Sequence, residues 1–260
     1  MTINLHFTDF CNFCCKHCFV NKEKNELSLE TIKIIVDKIY DYSINCNKKI
    51  RINLAGGEPL LSKNIQKIID YICEKGLECS IITNGFLLTE EFINKNKNKL
   101  SMIGISVDSL KEETNIKIGR ECCKKTISRD RIISLCNYIK KANINLKINL
   151  CISKINMDED FSTFLEDVKP DRIKFLRVMV DHNLLLSNMS LYDNDWIHII
   201  EKYKNISNII FEDNDYMKES YIIIDSKGNI SKNNLHFMDN SIINKDLYDC
   251  LNCLKNVRGC

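Results

Sequence analysis

The sequence predicts an α/β fold, a partial (β/α)6 barrel with a short C-terminal extension. Three observations lead there. Strand-like runs alternate with segments of helical period through the first two thirds of the chain. Each helical segment carries one apolar stripe, as a helix lying on a sheet does. A length of 260 residues with 44% hydrophobic content suits one large α/β domain.

The elements follow in order. Strand Ile3–Thr8 comes first, then a helix striped by Ile32, Ile35, Val36 and Ile39. Strand Ile50–Leu54 precedes a second stripe of Ile65, Ile68, Ile69 and Ile72. Strands Cys79–Thr83 and Met102–Val107 lead to a helix marked by Ile132, Leu135, Cys136 and Ile139. Strand Lys147–Ile152, the stripe Phe161, Phe164, Leu165 and Val168, and strand Arg172–Val178 complete the series. Such repeats give a parallel sheet with helices outside, closed or nearly closed into a barrel. Ligands of these sheets sit at the carboxyl ends of the strands. A helix through Trp196, Ile199, Ile200 and Tyr203 and a hairpin, Tyr221–Ile224 with Asn229–Ser231, form the extension. The reading is a barrel over residues 1–180 and an extension over 181–260 packed on it. With two prolines and no Gly/Ser-rich linker, the whole is one structural domain.

Composition limits the partners. Lys+Arg is 37 against Asp+Glu 35, a net charge of +2, which gives no global field to draw in nucleic acid or an anionic membrane. No signal peptide or membrane span is visible, so the 14 cysteines are expected in a reducing, cytoplasmic setting. Cys46, Cys73, Cys79, Cys136 and Cys151 lie among apolar residues and read as core.

The chemistry concentrates at strand ends. After the first strand, Cys11, Cys15 and Cys18 form a C-x3-C-x2-C triplet. Three thiolates at this spacing can ligate three irons of a [4Fe–4S] cluster and leave the fourth without a protein ligand. The other start, Cys14 with Cys18, would need a cysteine where Asn21 stands. The second strand ends in Ala55-Gly56-Gly57-Glu58-Pro59, whose glycines allow close backbone approach to a ligand. The third ends in Thr83-Asn84-Gly85 and the fourth in Ser106-Val107-Asp108, so polar side chains converge on one rim. Lys147 and Asn149 share one face of a strand, and Arg172 and Lys174 share one face of the next, with Ile148 and Ile173 turned the other way. Placed inside the barrel mouth, these cations need an anionic partner, for which a triphosphate serves; structural ion pairs or a register facing solvent are the other readings.

Taken together, C-N-F-x-C-x-x-C-F, Asn53-Leu54-Ala55-Gly56-Gly57-Glu58-Pro59, Ile105-Ser106-Val107-Asp108-Ser109, Ile118-Gly119-Arg120 and Met217-Lys218-Glu219-Ser220-Tyr221 resemble the prokaryotic viperin-like enzymes of the radical S-adenosylmethionine (SAM) superfamily. The resemblance runs from about Asn4 to Ser231. It implies a TIM-like radical SAM barrel, a [4Fe–4S] cluster on Cys11, Cys15 and Cys18, and SAM bound by Gly56, Gly57, Glu58, Asn84, Ser106 and Arg120. It implies a nucleoside triphosphate substrate (CTP, UTP or GTP) held by Arg51, Lys147, Asn149, Arg172 and Lys174. Glu212 and Asn214 fall near the substrate's edge. The implied activity is that of a lyase-type dehydratase: a 5′-deoxyadenosyl radical takes the ribose 4′ hydrogen, and the 3′-deoxy-3′,4′-didehydro antiviral nucleotide results. Tyr221 corresponds to a family tyrosine near the ribose, able to donate a proton. A flavodoxin or ferredoxin would supply electrons. His17 replaces an aromatic residue before the last cysteine and is expected to pack near SAM. Ala55 stands in place of the family serine, and Val20-Asn21-Lys22 departs from the family's stretch after the cluster. No amphipathic N-terminal helix is visible, so membrane association of animal viperins is not carried over. A second reading, a radical SAM peptide maturase with an auxiliary cluster, rests on Cys250, Cys253 and Cys260.

Overall fold

The computed structural model describes residues 1–18, 20, 23–179, 188–213, 222–232 and 241–256. Asn21, Lys22, Asn214, Tyr221 and the tail cysteine Cys260 lie outside them, as does the Met217–Ser220 part of the last motif.

Seven strands, β1 (Thr2–Thr8), β2 (Arg51–Gly56), β3 (Glu78–Thr83), β4 (Leu100–Ser106), β5 (Asn145–Ile152), β6 (Arg172–Arg177) and β7 (Ile209–Glu212), pair parallel in chain order. Two more, β8 (Ile222–Ile224) and β9 (Ile230–Lys232), extend the β1 edge, β8 parallel to β1 and β9 antiparallel to β8. The expected hairpin is therefore present as part of the main sheet. Sequential order with helical crossovers curves a sheet one way, with all the helices on one face. Among the described residues the sheet stays open, with β7 and β9 as its edges.

The helices are α1 (Leu29–Asn45), α2 (Ile65–Glu74), α3 (Glu90–Asn96), α4 (Glu112–Ile118), α5 (Arg129–Lys141), α6 (Ser162–Val168), α7 (Asp193–Tyr203) and α8 (Leu247–Asn256). Ser28, Thr89 and Ser128 cap α1, α3 and α5 by accepting a backbone N–H. The predicted stripes of α1 and α5 are the buried residues of those helices; in α2 Ile68, Ile69 and Ile72 are buried and Ile65 is half-buried, and in α6 Phe164, Leu165 and Val168 are buried, with Phe161 buried at the N-cap. They pack on Ile3, Leu5, Ile52, Leu54, Ile81, Ile103, Ile148 and Ile173 of the strands in one apolar cluster. Burying a side chain of this kind contributes roughly 1.5–3 kcal/mol, which makes this face the main source of stability.

Period-two alternation sends the intervening residues to the opposite, concave face. Its floor is a hydrogen-bonded chain: Asn53 Nδ2 donates to Asn4 Oδ1 at 2.8 Å and Ser80 Oγ donates to Asn53 Oδ1 at 2.8 Å. Above it, Gly104 pairs with Lys147, and Lys147 with Arg172. A side chain at Gly104 would reach the Lys147 stem at 3.6 Å and press on Ile82 at 2.3 Å. Glycine thus makes room for the Ile82 side chain, with the Lys147 stem at ordinary contact distance.

The extension packs back on the barrel. Ile242, Leu247, Cys250 and Leu251 join the apolar cluster. Lys38 Nζ of α1 donates to the carbonyls of Ile242, Ile243 and Lys245 at 2.8–3.0 Å. Cys250 is fully buried in that cluster; the side chains of Cys253 and Cys260 lie outside the described residues.

Candidate active site

β1 delivers its chain to the mouth of the sheet, and the segment that follows is tied down at both ends. Asp9 N–H donates to Asn25 O at 2.8 Å and Leu27 N–H to Phe7 O at 2.9 Å, so the cysteine loop is a closed excursion. Within it, burial raises Cys11 to about 11 and also raises Cys15; Cys15 and Cys18 press Cys11 further upward, and Cys18 does the same to Cys15. The three thiols are therefore near neighbours; Cys15 is half-buried, and Cys14 is exposed as Cys11 and Cys18 are. No three side chains of the described residues converge on a single metal ion. A four-iron cluster asks for something else, one thiolate for each of three irons, and this donor set fits that demand.

The loop rests on α4. Cys14 N–H donates to Gly119 O at 3.1 Å and Lys16 N–H donates to Ile118 O at 2.9 Å. Gly119 ends α4 in the left-handed conformation, φ 87°, and a Cβ there would sit 2.4 Å from Cys14 O. Gly119→Ala should therefore lower the melting temperature, with backbone strain alone costing roughly 1–2 kcal/mol. It should also cut iron loading while circular dichroism stays native. A melt and an iron assay on the purified variant check both; wild-type iron content would rule out the clamp.

The glycine pair after β2 fits against the same loop from the other side. Gly57 N–H donates to Thr8 O at 2.6 Å and Glu58 N–H to Phe10 O at 2.7 Å. Side chains at Gly56 and Gly57 would fall 2.3 Å from Thr8 O and 2.1 Å from Phe10 O. Glu58 is fully buried, and burial raises its pKa. Its Oε1 accepts from Thr83 Oγ1 at 2.7 Å and Leu60 N at 3.1 Å, and its Oε2 accepts from Asn84 N at 2.7 Å. That carboxylate is thus spent on fixing the end of β3. Asn84, so held, donates from Nδ2 to Asn12 Oδ1 at 2.7 Å and accepts Phe86 N–H at 2.9 Å.

Beyond β4, Arg120 donates from Nη1 to Asp108 Oδ2 at 3.0 Å and from Nη2 to Ser106 O at 2.6 Å, and lies over the Phe13 ring at 5.5 Å. His17 Nε2 is 3.3 Å from the same Asp108 oxygen. Although burial works against its charge, Arg120 and then His17 hold Asp108 down at about 2. Burial also opposes charge on His17, but Cys151 and Asp108 outweigh it and raise its pKa well above the usual value. His17 therefore does more than pack: it bridges the cysteine loop to β4 and β5. Cys151, read as core, is half-buried on the concave face, because it continues the alternation Lys147, Asn149, Cys151. That alternation was the signal that could have placed it. His6 lies on the concave face of β1 by the same rule, and burial lowers it to about 4.

The cations lie further round the sheet. Lys147, Asn149, Arg172 and Lys174 are all on the concave face of β5 and β6. Lys174 and Glu212 of β7 are both buried and form an ion pair. Lys147 and Arg172 make no ion pair among the described residues, and buried Arg172 Nε and Asn149 Oδ1 have no hydrogen-bond partner. Burial, followed by Lys174 and Arg172, pulls Lys147 down to about 7, with Arg51 adding to the repulsion. Arg51 itself sits at the amino end of β2 with Glu78 at 3.5 Å and Thr2 Oγ1 at 3.2 Å, so it faces the cluster of cations from below.

A thiol triplet at the mouth of an open parallel barrel, with a glycine cradle and a rim of Asn84, Ser106 and Arg120 beside it, defines a class of iron–sulfur enzyme that uses SAM. Known proteins agree. The profile described as the Radical SAM superfamily matches residues 5–168. The chain is 33% identical to the S-adenosylmethionine-dependent nucleotide dehydratase of Lacinutrix mariniflava, over 89% of this chain and 50% of that protein, so it spans half of that relative's length. It is 31% identical to the protein of the same name from Psychrobacter lutiphocae, over 95% of this chain and 85% of that one. Streptococcus suis SuiB bound to S-adenosylmethionine superposes with a TM-score of 0.76 at 17% identity, over 99% of this chain and 67% of that one. For anSMEcpe with bound AdoMet the TM-score is 0.76 at 15% identity, over 99% and 82%. These two likenesses speak for the fold alone. The chain belongs to the radical SAM superfamily and, within it, to the viperin-like nucleotide dehydratases. That membership implies SAM and an iron–sulfur cluster. No helix among the described residues is long and apolar enough to cross a membrane.

Proposed function

We propose that this protein removes water from a nucleoside triphosphate to give the 3′-deoxy-3′,4′-didehydro nucleotide. The observation that carries the reading is the pair Lys147 and Arg172, concave-face cations without an ion-pair partner among the described residues, in a chain of the nucleotide dehydratase family. Like charges held together on a half-buried face are costly until an anion arrives. Triphosphate oxygens supply it, with Arg172 able to bind in a bidentate fork and Lys147, Lys174 and Arg51 as point contacts. Asn149, with a buried acceptor to spare, is placed to orient a donor of the same ligand.

When bound, the cluster and SAM supply the carbon-centred radical chemistry that breaks a ribose C–H bond. The chain's part is placement. Cys11, Cys15 and Cys18 would hold the irons, and Gly56 and Gly57, packed against the cysteine loop, would bring the backbone close to the methionine end of SAM. Arg120 takes the SAM carboxylate, and Asn84 and Ser106 border the rest. The Glu58 side chain acts at one remove, by fixing Asn84. In sheet order β2 to β4 stand between the thiol loop on β1 and the cations on β5 and β6, so a triphosphate anchored there directs its ribose back toward SAM. Departure of the 3′-hydroxyl as water requires a proton, for which Tyr221 is the candidate donor. The conversion consumes two electrons, one for SAM cleavage and one for the elimination, and a flavodoxin or ferredoxin is the class of donor that fits.

The test is anaerobic reconstitution with SAM and dithionite, offering CTP, UTP, GTP and ATP separately. The expected result is a nucleotide lighter by one water, formed with 5′-deoxyadenosine, from at least one of them. SAM cleavage that leaves all four nucleotides intact would overturn the substrate and bring back the peptide reading.

A further inference from the structure

The cysteine loop has a second face, turned away from the concave side. The Cys14 and Lys16 backbone hydrogen bonds join that loop to the end of α4, and a turn follows within three residues of Gly119. This turn, Cys122–Lys125, is closed by a backbone bridge between its ends, with Cys123 and Lys124 at φ 52° and 62°. Lys16, Lys117, Lys124 and Lys125 are exposed on these joined segments, and Ile116, 42% exposed, lies among them. None of the four lysines makes an ion pair among the described residues. Glu121 on the same stretch is half-buried, and Glu112 and Glu113 belong to the far, first turn of α4. A chain of net charge +2 thus carries four exposed cations and one exposed apolar side chain on the cysteine loop, the α4 end bonded to it and the turn that follows.

We propose that this surface, Lys16, Ile116, Lys117, Lys124 and Lys125, docks an acidic one-electron carrier protein that reduces the cluster. The argument rests on the cysteine loop holding iron and sulfur and is independent of the nucleotide. The concave side is where SAM and substrate enter, so an electron from a protein has to arrive through the outer face of the loop. Short-lived redox encounters bury little area and are steered by complementary charge around a small apolar centre. A flavodoxin or ferredoxin with an acidic face is the partner of that chemistry. In the step, the reduced flavin or iron–sulfur centre of the carrier loses one electron and the cluster gains it. No bond or proton crosses the interface.

The test uses reconstituted holoenzyme carrying Lys117→Glu, Lys124→Glu and Lys125→Glu together, and a second set with glutamine at the same three positions. SAM cleavage is followed without nucleotide, driven either by reduced flavodoxin or by dithionite, and calorimetry measures the affinity for oxidised flavodoxin. The glutamate set should lose at least tenfold in the flavodoxin-driven rate and in affinity, with the dithionite-driven rate unchanged. The glutamine set should fall between it and wild type, and the wild-type affinity should weaken as salt rises. Flavodoxin rates and affinity equal to wild type would overturn the proposal. So would a parallel fall with dithionite, which would place the lysines in support of the loop itself. Capture of a single-stranded oligonucleotide by the same lysines with no effect on flavodoxin would replace the carrier by a nucleic acid.

Discussion

Alanine at position 15 is expected to abolish 5′-deoxyadenosine formation, and alanine at position 14 is expected to leave it intact. The two residues are adjacent, so the contrast isolates geometry from composition. Cys15 is the least exposed thiol of the triplet, set among Arg120, Asp108 and His17, while Cys14 is exposed and stands outside the C-x3-C-x2-C spacing. Removing one thiolate leaves an iron with no protein ligand, and the cluster's hold on the chain falls from three points to two. Iron and sulfide content after reconstitution, together with product mass spectrometry, measures both parts. Turnover in Cys15→Ala, or equal losses in the two variants, would defeat the ligand assignment. Cys11→Ala and Cys18→Ala should behave as Cys15→Ala does.

Lys147→Met is expected to raise stability and to weaken nucleotide binding, two effects of opposite sign from one side chain. Methionine keeps much of the stem beside Gly104 and removes the charge. In the folded protein Lys147 titrates near 7, pulled down by burial and then by Lys174 and Arg172, against 10.5 for a free lysine. Between those values the unfolded chain binds more protons than the folded one, so folding stability rises with pH across that window. The cost of the charge is fully present below pH 7 and fades above it. Allowing for solvent around a half-buried group, it is on the order of a few kcal/mol. Thermal melts from pH 7 to pH 9 should rise for the wild type and stay flatter for Lys147→Met. A triphosphate should restore the proton, so that binding at pH 8 takes up close to one proton in the wild type and much less in the variant. Calorimetry in buffers of different ionisation enthalpy reads that uptake. Losing one charge-assisted contact should weaken nucleoside triphosphate binding by roughly 10- to 100-fold. A variant that is both less stable and normal in affinity would show that Lys147 is no such cation.

What could be read from the chain depended on the range of the interaction. Alternation and helical period are local, and they gave six strands, the stripes and the shared face of Lys147, Asn149, Arg172 and Lys174. The helices α3 and α4 carry no apolar stripe to read, since α3 buries Ile93 and Asn96 and α4 buries Thr114, Asn115 and Ile118, and β7, of four residues, is too short for an alternation. Cys151 was legible and was misjudged, because apolar neighbours were weighed above the register it shares with Asn149. The work of Glu58 was hidden for a different reason. Its partners Thr83 and Asn84 lie 25 and 26 residues away, on another strand, and only folding brings them within hydrogen-bond reach. The tie from His17 to Asp108 spans a longer interval still. Motifs named the glycine cradle and Arg120, but which of their atoms were already committed to the protein was a property of the fold.

The clamp between the cysteine loop and the end of α4 has a thermodynamic consequence. Cys14 and Lys16 hang on the carbonyls of Gly119 and Ile118, and the next residue is Arg120, stacked on Phe13 from the loop itself. Ordering either segment orders the other, so iron and SAM cannot bind as strangers. Linkage is reciprocal: whatever factor a loaded cluster adds to the affinity for SAM, SAM returns to the retention of iron. The small molecule is thereby a guardian of the metal, and a protein saturated with SAM should surrender its iron to a chelator more slowly by that same factor.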